Sequence, residues 1–319
     1  MVQFALRRIT IFPLTLLIAN FIGFAFAFST APIVTASDPY SFGTNKLPPV
    51  MPAYLNYLQN VFKGDFGSTF TNEPVLETIS RFSVASLGLM GIAMTISIIL
   101  GVTLGRLGVR RGRSGVASWL TLISTIGLAL PSFYVAILLI ALFILITIYI
   151  VSSTTPLIPF QGFGWDAHLI LPVLALVIQP TVKIAQVTAS LLSEEMEKQY
   201  VTAAMSFGHP FKKIKGKFAF RSILAPVVLT IAASLRIMIA ELIIIERLFN
   251  WPGMGKLIST LLSRHSLSAD LLSPPMIAAV LTILVGIFLL IDFLATFLSR
   301  LIDPRLRADS EMQFKGAAA

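Results

Sequence analysis

The sequence has no cysteine and few charged residues, and both shortages exclude classes of protein. The absence of cysteine excludes disulfide bonds, thiolate metal sites and cysteine nucleophiles. Only 12% of the 319 residues are charged, whereas a soluble domain of this length carries about 25%. The three histidines, His168, His209 and His265, are scattered over different predicted loops, which favours solvated or structural side chains over metal ligands. The composition therefore argues against a soluble protein and predicts no bound metal.

The sequence also lacks the short motifs of common catalytic sites. It contains no G-x-x-x-x-G-K-[ST] phosphate loop, no H-E-x-x-H zinc motif and no G-x-S-x-G nucleophile turn. The run Gly253-Met254-Gly255-Lys256 has the wrong spacing for a phosphate loop. We therefore expect the chain to bind no cofactor and not to be an enzyme.

Apolar residues are in excess: 56% of the chain is hydrophobic and the mean hydropathy is +0.86. The apolar stretches long enough to cross a bilayer as helices are residues 9–28, 82–105, 116–151, 169–191, 223–245 and 276–299. The third is too long for one straight span, and Pro131 is the expected kink. The pattern predicts an all-α, polytopic membrane protein with six transmembrane helices. We divide it into 1–80 (a first helix and an external loop with a short helix at 53–62), 81–307 (a core of five helices) and 308–319 (a polar tail).

Lysine and arginine residues fall mainly on one side of the six predicted spans. That side holds the clusters at residues 7–8, 106–113, 198–221 and 300–315, and the other side holds only Lys46, Lys63, Arg81, Arg247, Lys256 and Arg264. Because cytoplasmic loops are enriched in basic residues, both termini are expected in the cytoplasm. These loops account for the net charge of +9, and no nucleic-acid partner is predicted.

The longest polar interruption on the basic side is residues 193–226, which we call the hairpin. Its first half can form a helix with one face made of Met196, Tyr200, Ala203, Ala204 and Phe207. Gly208 and Pro210 break that helix. A second helix then places an apolar face, Phe211, Ile214 and Phe218, opposite Lys212, Lys213, Lys215, Lys217 and Arg221. Two short amphipathic helices around a bend suit docking into a groove on a soluble partner. The alternative is that the hairpin lies on anionic lipid.

Four ionisable residues lie inside the predicted spans: Lys183, Arg236, Glu241 and Asp292. A charge in lipid costs at least roughly 2.5 to 3.5 kcal/mol, so such groups face partners or a water-filled path. Arg236 and Glu241 either line a translocation path or form interhelical ion pairs, and both alternatives stay open. For Lys183 and Asp292, which lie nearer the predicted span ends, we favour ion pairing.

Several segments resemble one family of membrane proteins. Thr202-Ala203-Ala204, followed after three residues by Gly208 and later by Leu224-Ala225-Pro226, resembles the E-A-A loop of ABC-importer permeases, with threonine in place of the glutamate. Residues 246–257 resemble the family's E-x-x-F-x-x-P-G-x-G-x-L segment. The long spacer between Gly208 and Pro226 is similar to that of the peptide/nickel branch. The resemblance implies the transmembrane domain of a type I ABC importer.

The resemblance also implies roles for two sets of residues. The loop that would contact an ATPase contains Thr202, Ala203, Ala204, Phe207, Gly208 and Phe211. An external turn contains Glu246, Phe249, Pro252, Gly253 and Gly255. Physically, the Pro-Gly-x-Gly run predicts a tight non-helical turn, and Trp251 beside it stands where interfacial aromatic residues anchor a membrane protein.

A transporter of this family implies further subunits. ATP would be used by separate ATPase subunits, a second permease would complete the pore, and an external solute-binding protein would deliver cargo. Di- and oligopeptides are the commonest cargo that the resemblance implies, ahead of nickel chelates and oligosaccharides. The implied location is a bacterial or archaeal cell (inner) membrane. The rival interpretation is a self-sufficient, ion-coupled secondary transporter. Intramembrane charges and proline-broken spans support the rival, whereas the absence of an inverted repeat opposes it.

Overall fold

A computed structural model describes residues 2–36, 49–69, 72–110, 115–151, 158–262 and 273–302. Within these ranges the chain is helical and contains no β-strand. The α-helices are α1 (Val2–Ala36), α2 (Val50–Phe62), α3 (Val75–Leu107), α4 (Ser118–Ala129), α5 (Ser132–Ile146), α6 (Ile170–Met196), α7 (Gln199–Ser206), α8 (Phe211–Lys213), α9 (Phe220–Ser222), α10 (Leu224–Leu248), α11 (Met254–Leu262) and α12 (Pro274–Ile302). Short π-helices follow α5 at Thr147–Val151 and α8 at Ile214–Ala219, and a 3-10 turn, Ala167–Leu169, precedes α6.

Six helical segments are long and apolar enough to cross a membrane, which confirms the predicted all-α, six-span fold. They are Ile11–Thr30, Val75–Leu107, Ser132–Ile150, Ala167–Met196, Leu224–Leu248 and Pro274–Ile302. The short helix predicted at 53–62 is also present, as α2. The predicted polar tail at 308–319 lies outside the described residues, and the predicted division at residues 80 and 307 stays a prediction.

The third predicted span is two helices rather than one kinked helix. α4 ends at Ala129, and Leu130 has an extended backbone with φ −97° and ψ 110°. The ring of Pro131 disfavours the helical conformation for the residue before it, so the helical hydrogen bonds stop and restart at Ser132. Only the second part, Ser132–Ile150, is long enough to span. The predicted single span at 116–151 was therefore wrong.

The chain separates into two compact units. The first consists of residues Met1–Ser86 and Pro252–Leu290. In this unit α2 packs on α1 through an aromatic cluster, in which the Phe24 and Tyr57 rings stack with centroids 5.1 Å apart and Tyr54 is buried beside them. Close approach of α1 to α12 requires Gly23, because a Cβ there would lie 2.9 Å from the Cα of Ala278.

The second unit, Leu87–Trp251 with Ile291–Ala319, is organised around α6. In this span 61% of the most apolar window is buried inside the protein, compared with 17% to 33% in the other five. The last turns of α3 pack against α6 with almost no space between the backbones. A Cβ on Gly101 would lie 2.9 Å from the carbonyl oxygen of Thr181, and one on Gly105 would lie 2.7 Å from that of Ala185. This unit also carries the hairpin, directly after α6.

Candidate functional site

The bend of the hairpin is a helix-terminating glycine motif. The N–H of Gly208 donates to the carbonyl of Met205 (2.9 Å) and the N–H of His209 donates to that of Ala204 (3.2 Å). This pair of bonds is the Schellman arrangement, which requires a left-handed residue after the helix, and Gly208 has φ +81°. Pro210 then begins α8 with an extended backbone. The helix break predicted at Gly208 and Pro210 is thus confirmed.

The tip of the hairpin presents apolar side chains to solvent. Phe207 is 83% exposed and Met205 is 40% exposed, whereas Val201 and Ile214 beneath them are fully buried. Among the residues assigned to the ATPase-contacting loop, Thr202, Ala203, Phe207 and Gly208 are exposed, and Ala204 and Phe211 are half-buried. Their role in contacting a partner stays a prediction. The predicted helix face starting at Met196 was wrong, because α6 ends at Met196 and α7 starts only at Gln199.

The first half of the hairpin is held to α6 by a buried carboxylate. Glu195 accepts hydrogen bonds from Lys198 Nζ and, at 3.0 Å, from the hydroxyl of Tyr200. Burial and the bond to this carboxylate raise the pKa of Tyr200 to about 12. The phenol therefore stays protonated and continues to donate at physiological pH. No motif in the sequence indicated this contact.

The second half of the hairpin is held to the end of α3 by Lys215. Its Nζ donates to the carbonyl oxygens of Arg106 and Val109, each at 3.0 Å. Lysine side chains stabilise helix C-termini in this way because the last carbonyls lack intrahelical partners. Burial, and secondly the charge of Arg106, lowers the pKa of Lys215. The sequence placed Lys215 on the same basic helix face as its neighbours, and the structure distinguishes it, because it is half-buried whereas Lys212 and Lys213 are exposed.

The charges inside the spans are mostly paired. Arg236 on α10 forms an ion pair with Asp292 on α12, and Glu241 accepts a hydrogen bond of 2.6 Å from the Ser132 hydroxyl. The ion pairing predicted for Asp292, and left open for Arg236, is therefore present. A path-lining role for Arg236 and Glu241 stays a prediction.

Lys183 does not follow this pattern. It forms neither a hydrogen bond nor an ion pair with any described residue, so the described part of the chain does not contain the pairing favoured from the sequence. Its predicted depth was wrong, because the fourth span continues to Met196 and Lys183 lies near the middle of Ala167–Met196 rather than near an end.

The predicted external turn falls in both units. In the second unit Glu246 and Phe249 are buried, and the N–H of Trp251 donates to the carbonyl of Glu246 at 2.8 Å. Trp251 is fully buried and packs edge-on against Phe163, with ring centroids 4.8 Å apart. It therefore packs in the protein interior, and its predicted place at a lipid interface was wrong.

In the first unit the turn is shorter than predicted. Pro252 and Gly253 are non-helical, but α11 starts at Met254, so Gly255 is helical. The N–H of Met254 donates to the hydroxyl of Ser86 at 2.7 Å, which holds the start of this helix to α3. Over the described ranges, no three His, Asp or Glu side chains come together as a metal site requires.

Comparison with known proteins supports the resemblance seen in the sequence. Residues 93–308 match the model of a family described as binding-protein-dependent transport system inner membrane component. The dipeptide transport system permease protein DppB of Lactococcus lactis is 26% identical, with 96% of this chain and 100% of the relative covered. The oligopeptide transport system permease proteins OppB of Haemophilus influenzae and AppB of Bacillus subtilis are 30% and 27% identical, over 81% and 79% of both chains.

A solved structure shares the fold. A chain of the MetNI methionine ABC transporter, in an inward-facing conformation, superposes with a TM-score of 0.55. The match covers 72% of this chain and 99% of the other, at 18% sequence identity. At that identity the likeness concerns the fold alone.

Proposed function

Because the chain belongs to the family of binding-protein-dependent transport system inner membrane components, we propose that it is the permease of an ATP-driven importer and that the hairpin docks an ATPase subunit. The observation that carries the docking proposal is the exposed apolar tip. Phe207, 83% exposed, sits on a bend whose two halves are fixed to α6 and α3. Large exposed apolar side chains on a rigid support are typical of a protein interface. The rival, an ion-coupled carrier, would leave this tip without a partner.

The names of the relatives support a proposal for the cargo and for further partners. DppB, AppB and OppB are named for dipeptide and oligopeptide transport, so we propose di- or oligopeptides as the cargo, ahead of nickel chelates and oligosaccharides. A second permease would complete the path, and an external binding protein would deliver the cargo. ATP would bind and be hydrolysed on the ATPase subunits.

The orientation proposed for the chain places both termini and the hairpin in the cytoplasm of a bacterial or archaeal cell. The support is the distribution of basic residues, which cluster at 7–8, 106–113, 198–221 and 300–315. ATPase subunits are then on the side where the hairpin is exposed. Movement of the ATPase pair would push the hairpin, and its fixed contacts through Glu195 and Lys215 would pass that push to α6 and α3 in an alternating-access cycle.

Two phenylalanines of nearly equal exposure offer a matched test. Phe207 is 83% exposed and Phe62, at the end of α2, is 80% exposed, and the orientation puts them on opposite sides of the membrane. Since the chain has no cysteine, Phe207→Cys and Phe62→Cys each create a single reactive site. Each variant is expressed in its native cells and treated with a maleimide that carries a photoreactive benzophenone, which needs no thiol on the partner. After irradiation and purification, the cross-linked partner is identified by mass spectrometry.

We expect Phe207→Cys to cross-link to an ATPase and Phe62→Cys not to do so. A membrane-impermeant maleimide applied to whole cells should label only Phe62→Cys. Labelling of Phe207→Cys from outside would overturn the orientation. Absence of an ATPase from the Phe207→Cys adduct, while the purified chain still transports alone, would overturn the docking proposal in favour of an ion-coupled carrier.

A further inference from the structure

The one face of α6 that is not buried is polar in the middle of the membrane. From the centre of the span towards the hairpin, the half-buried or exposed positions include Gln179, Lys183, Gln186 and Ser190. Their spacing of four, three and four residues places them in one line along the helix. The neighbouring residues Val182, Ile184, Ala185 and Ala189 are buried against the rest of the second unit. We call this line the polar stripe of α6.

Lipid contact does not explain the polar stripe. On α4, which lies beside this part of α6 because Gly127 approaches Val182, the exposed positions are apolar, for example Leu122 (63% exposed) and Ile126 (54% exposed), as expected for a surface that faces hydrocarbon. A lysine and two glutamines on such a surface would be costly, because lipid tails offer no hydrogen bonds. The polar stripe therefore faces either water or another polar surface.

Two polar groups of the stripe have no hydrogen-bond or ion-pair partner among the described residues. Lys183 makes no hydrogen bond or ion pair there, although the other three ionisable residues predicted inside the spans, Arg236, Asp292 and Glu241, are bonded. One turn away, the buried side-chain oxygen of Gln179 also has no hydrogen-bond partner among them. A lysine near the middle of a span, with no acidic side chain beside it among the described residues, is complementary to an anion that is not part of this chain.

We propose that the polar stripe of α6 lines the translocation path and that Lys183 binds the carboxylate of the cargo as it passes. This proposal rests on the proposed importer function and names the residue that takes the cargo's anionic group. A half-buried, flexible lysine suits transit, because conduction needs binding that is favourable but easily reversed. The candidate path-lining side chains on α10, Arg236 and Glu241, are bonded to Asp292 and Ser132, whereas Lys183 is available to a cargo.

The cysteine-free sequence allows a test that does not require the cargo to be known. Gln186→Cys lies one turn from Lys183, and the control is Leu122→Cys on α4, an exposed apolar position between Leu120 and Gly127, which contact this part of α6. The complete importer carrying either change is treated with an anionic (sulfonate) or a cationic (trimethylammonium) methanethiosulfonate reagent. The rate of modification of this chain is followed by mass spectrometry, in backgrounds with Lys183, Lys183→Arg or Lys183→Met.

We expect both reagents to modify Gln186→Cys faster than Leu122→Cys, because only the first site is in water. The anionic reagent should be favoured, and Lys183→Met should reduce that preference roughly fivefold, as expected for one charge about 8 Å away in a partly aqueous setting. Lys183→Arg should keep the preference. An excess of the anionic compound methanesulfonate should slow modification when Lys183 is present and not in the Lys183→Met background.

Each contrary result has a distinct meaning. Gln186→Cys as unreactive as Leu122→Cys would overturn the path. A cross-link from Gln186→Cys to the second permease, made separately with a photoreactive maleimide, would show that the stripe is a subunit interface instead. A reagent preference unchanged by Lys183→Met would overturn the anion site. None of these results depends on the Phe207→Cys cross-link, so failure of this proposal is separable from failure of the proposed function.

Discussion

Replacing Gly208 by valine is expected to uncouple transport from ATP hydrolysis while the protein still inserts in the membrane. The structure separates two possible causes of damage. A Cβ at Gly208 would meet no atom within 4 Å, so the added side chain has space. The backbone, however, has φ +81°, a conformation that costs an ordinary residue about 1–2 kcal/mol. At 1.4 kcal/mol per factor of ten, that strain disfavours the native bend about 5- to 30-fold relative to other loop conformations.

A graded series and a matched control test this reasoning. Asparagine tolerates the left-handed region better than alanine, and valine tolerates it least, so coupling should fall in the order Asn, Ala, Val at Gly208. Gly64 is the control, because it also follows the end of a helix, has φ +89° and would have no atom within 4 Å of an added Cβ. Gly64→Val therefore carries the same backbone strain at a site distant in sequence from the hairpin.

The assay is the ratio of cargo taken up to ATP hydrolysed by the complete importer in proteoliposomes. Gly208→Val should reduce the ratio about fivefold or more, and Gly64→Val should leave it within the error of the wild type. Equal ratios for Gly208→Asn and Gly208→Val would refute the argument from backbone strain. A reduction of equal size in Gly64→Val would show general destabilisation instead of a role for the hairpin.

Two further predictions concern side chains that hold this unit together. Lys215→Met should lower the same coupling ratio, because it removes two charged hydrogen bonds to the end of α3, which contribute about 1–2 kcal/mol in total at a half-exposed site. The control is Lys212→Met, which changes an exposed lysine. Equal effects of the two changes would contradict a specific contact of Lys215. Asp292→Asn should reduce the yield of inserted protein, because it leaves Arg236 unpaired inside a span, and the double change Arg236→Met with Asp292→Asn should restore it. Transport by the restored double variant would identify the pair as structural, whereas insertion without transport would place it in the path.

The spans and the hairpin bend were predictable because their causes are local. An apolar run of about 20 residues crosses a bilayer as a helix wherever it packs, and Gly208 with Pro210 ends a helix by backbone chemistry alone. Pro131 was recognised for the same reason. The extent of the break was missed because a proline in a helix either kinks it or stops it, and tertiary packing decides between the two.

The contacts of particular side chains were not predictable because they depend on non-local packing. Lys215 is one of several equivalent lysines until the end of α3 is placed beside it. Trp251 resembles an interfacial anchor until Phe163 is known to pack on it. The isolation of Lys183 required knowing which helices surround α6, and hydrophobic periodicity does not identify neighbours.

The glycine contacts between α3 and α6 determine which parts can move. Gly101 and Gly105 lie so close to the α6 backbone that a Cβ on either would come within 3 Å of it, so neither helix can slide along the other without separating first. A displacement of the hairpin therefore moves α3 and α6 together as one rigid pair, rather than bending a single helix. The conformational change must then be taken up outside this pair of helices, and the interruption at Leu130 and Pro131 is one place where the chain can bend.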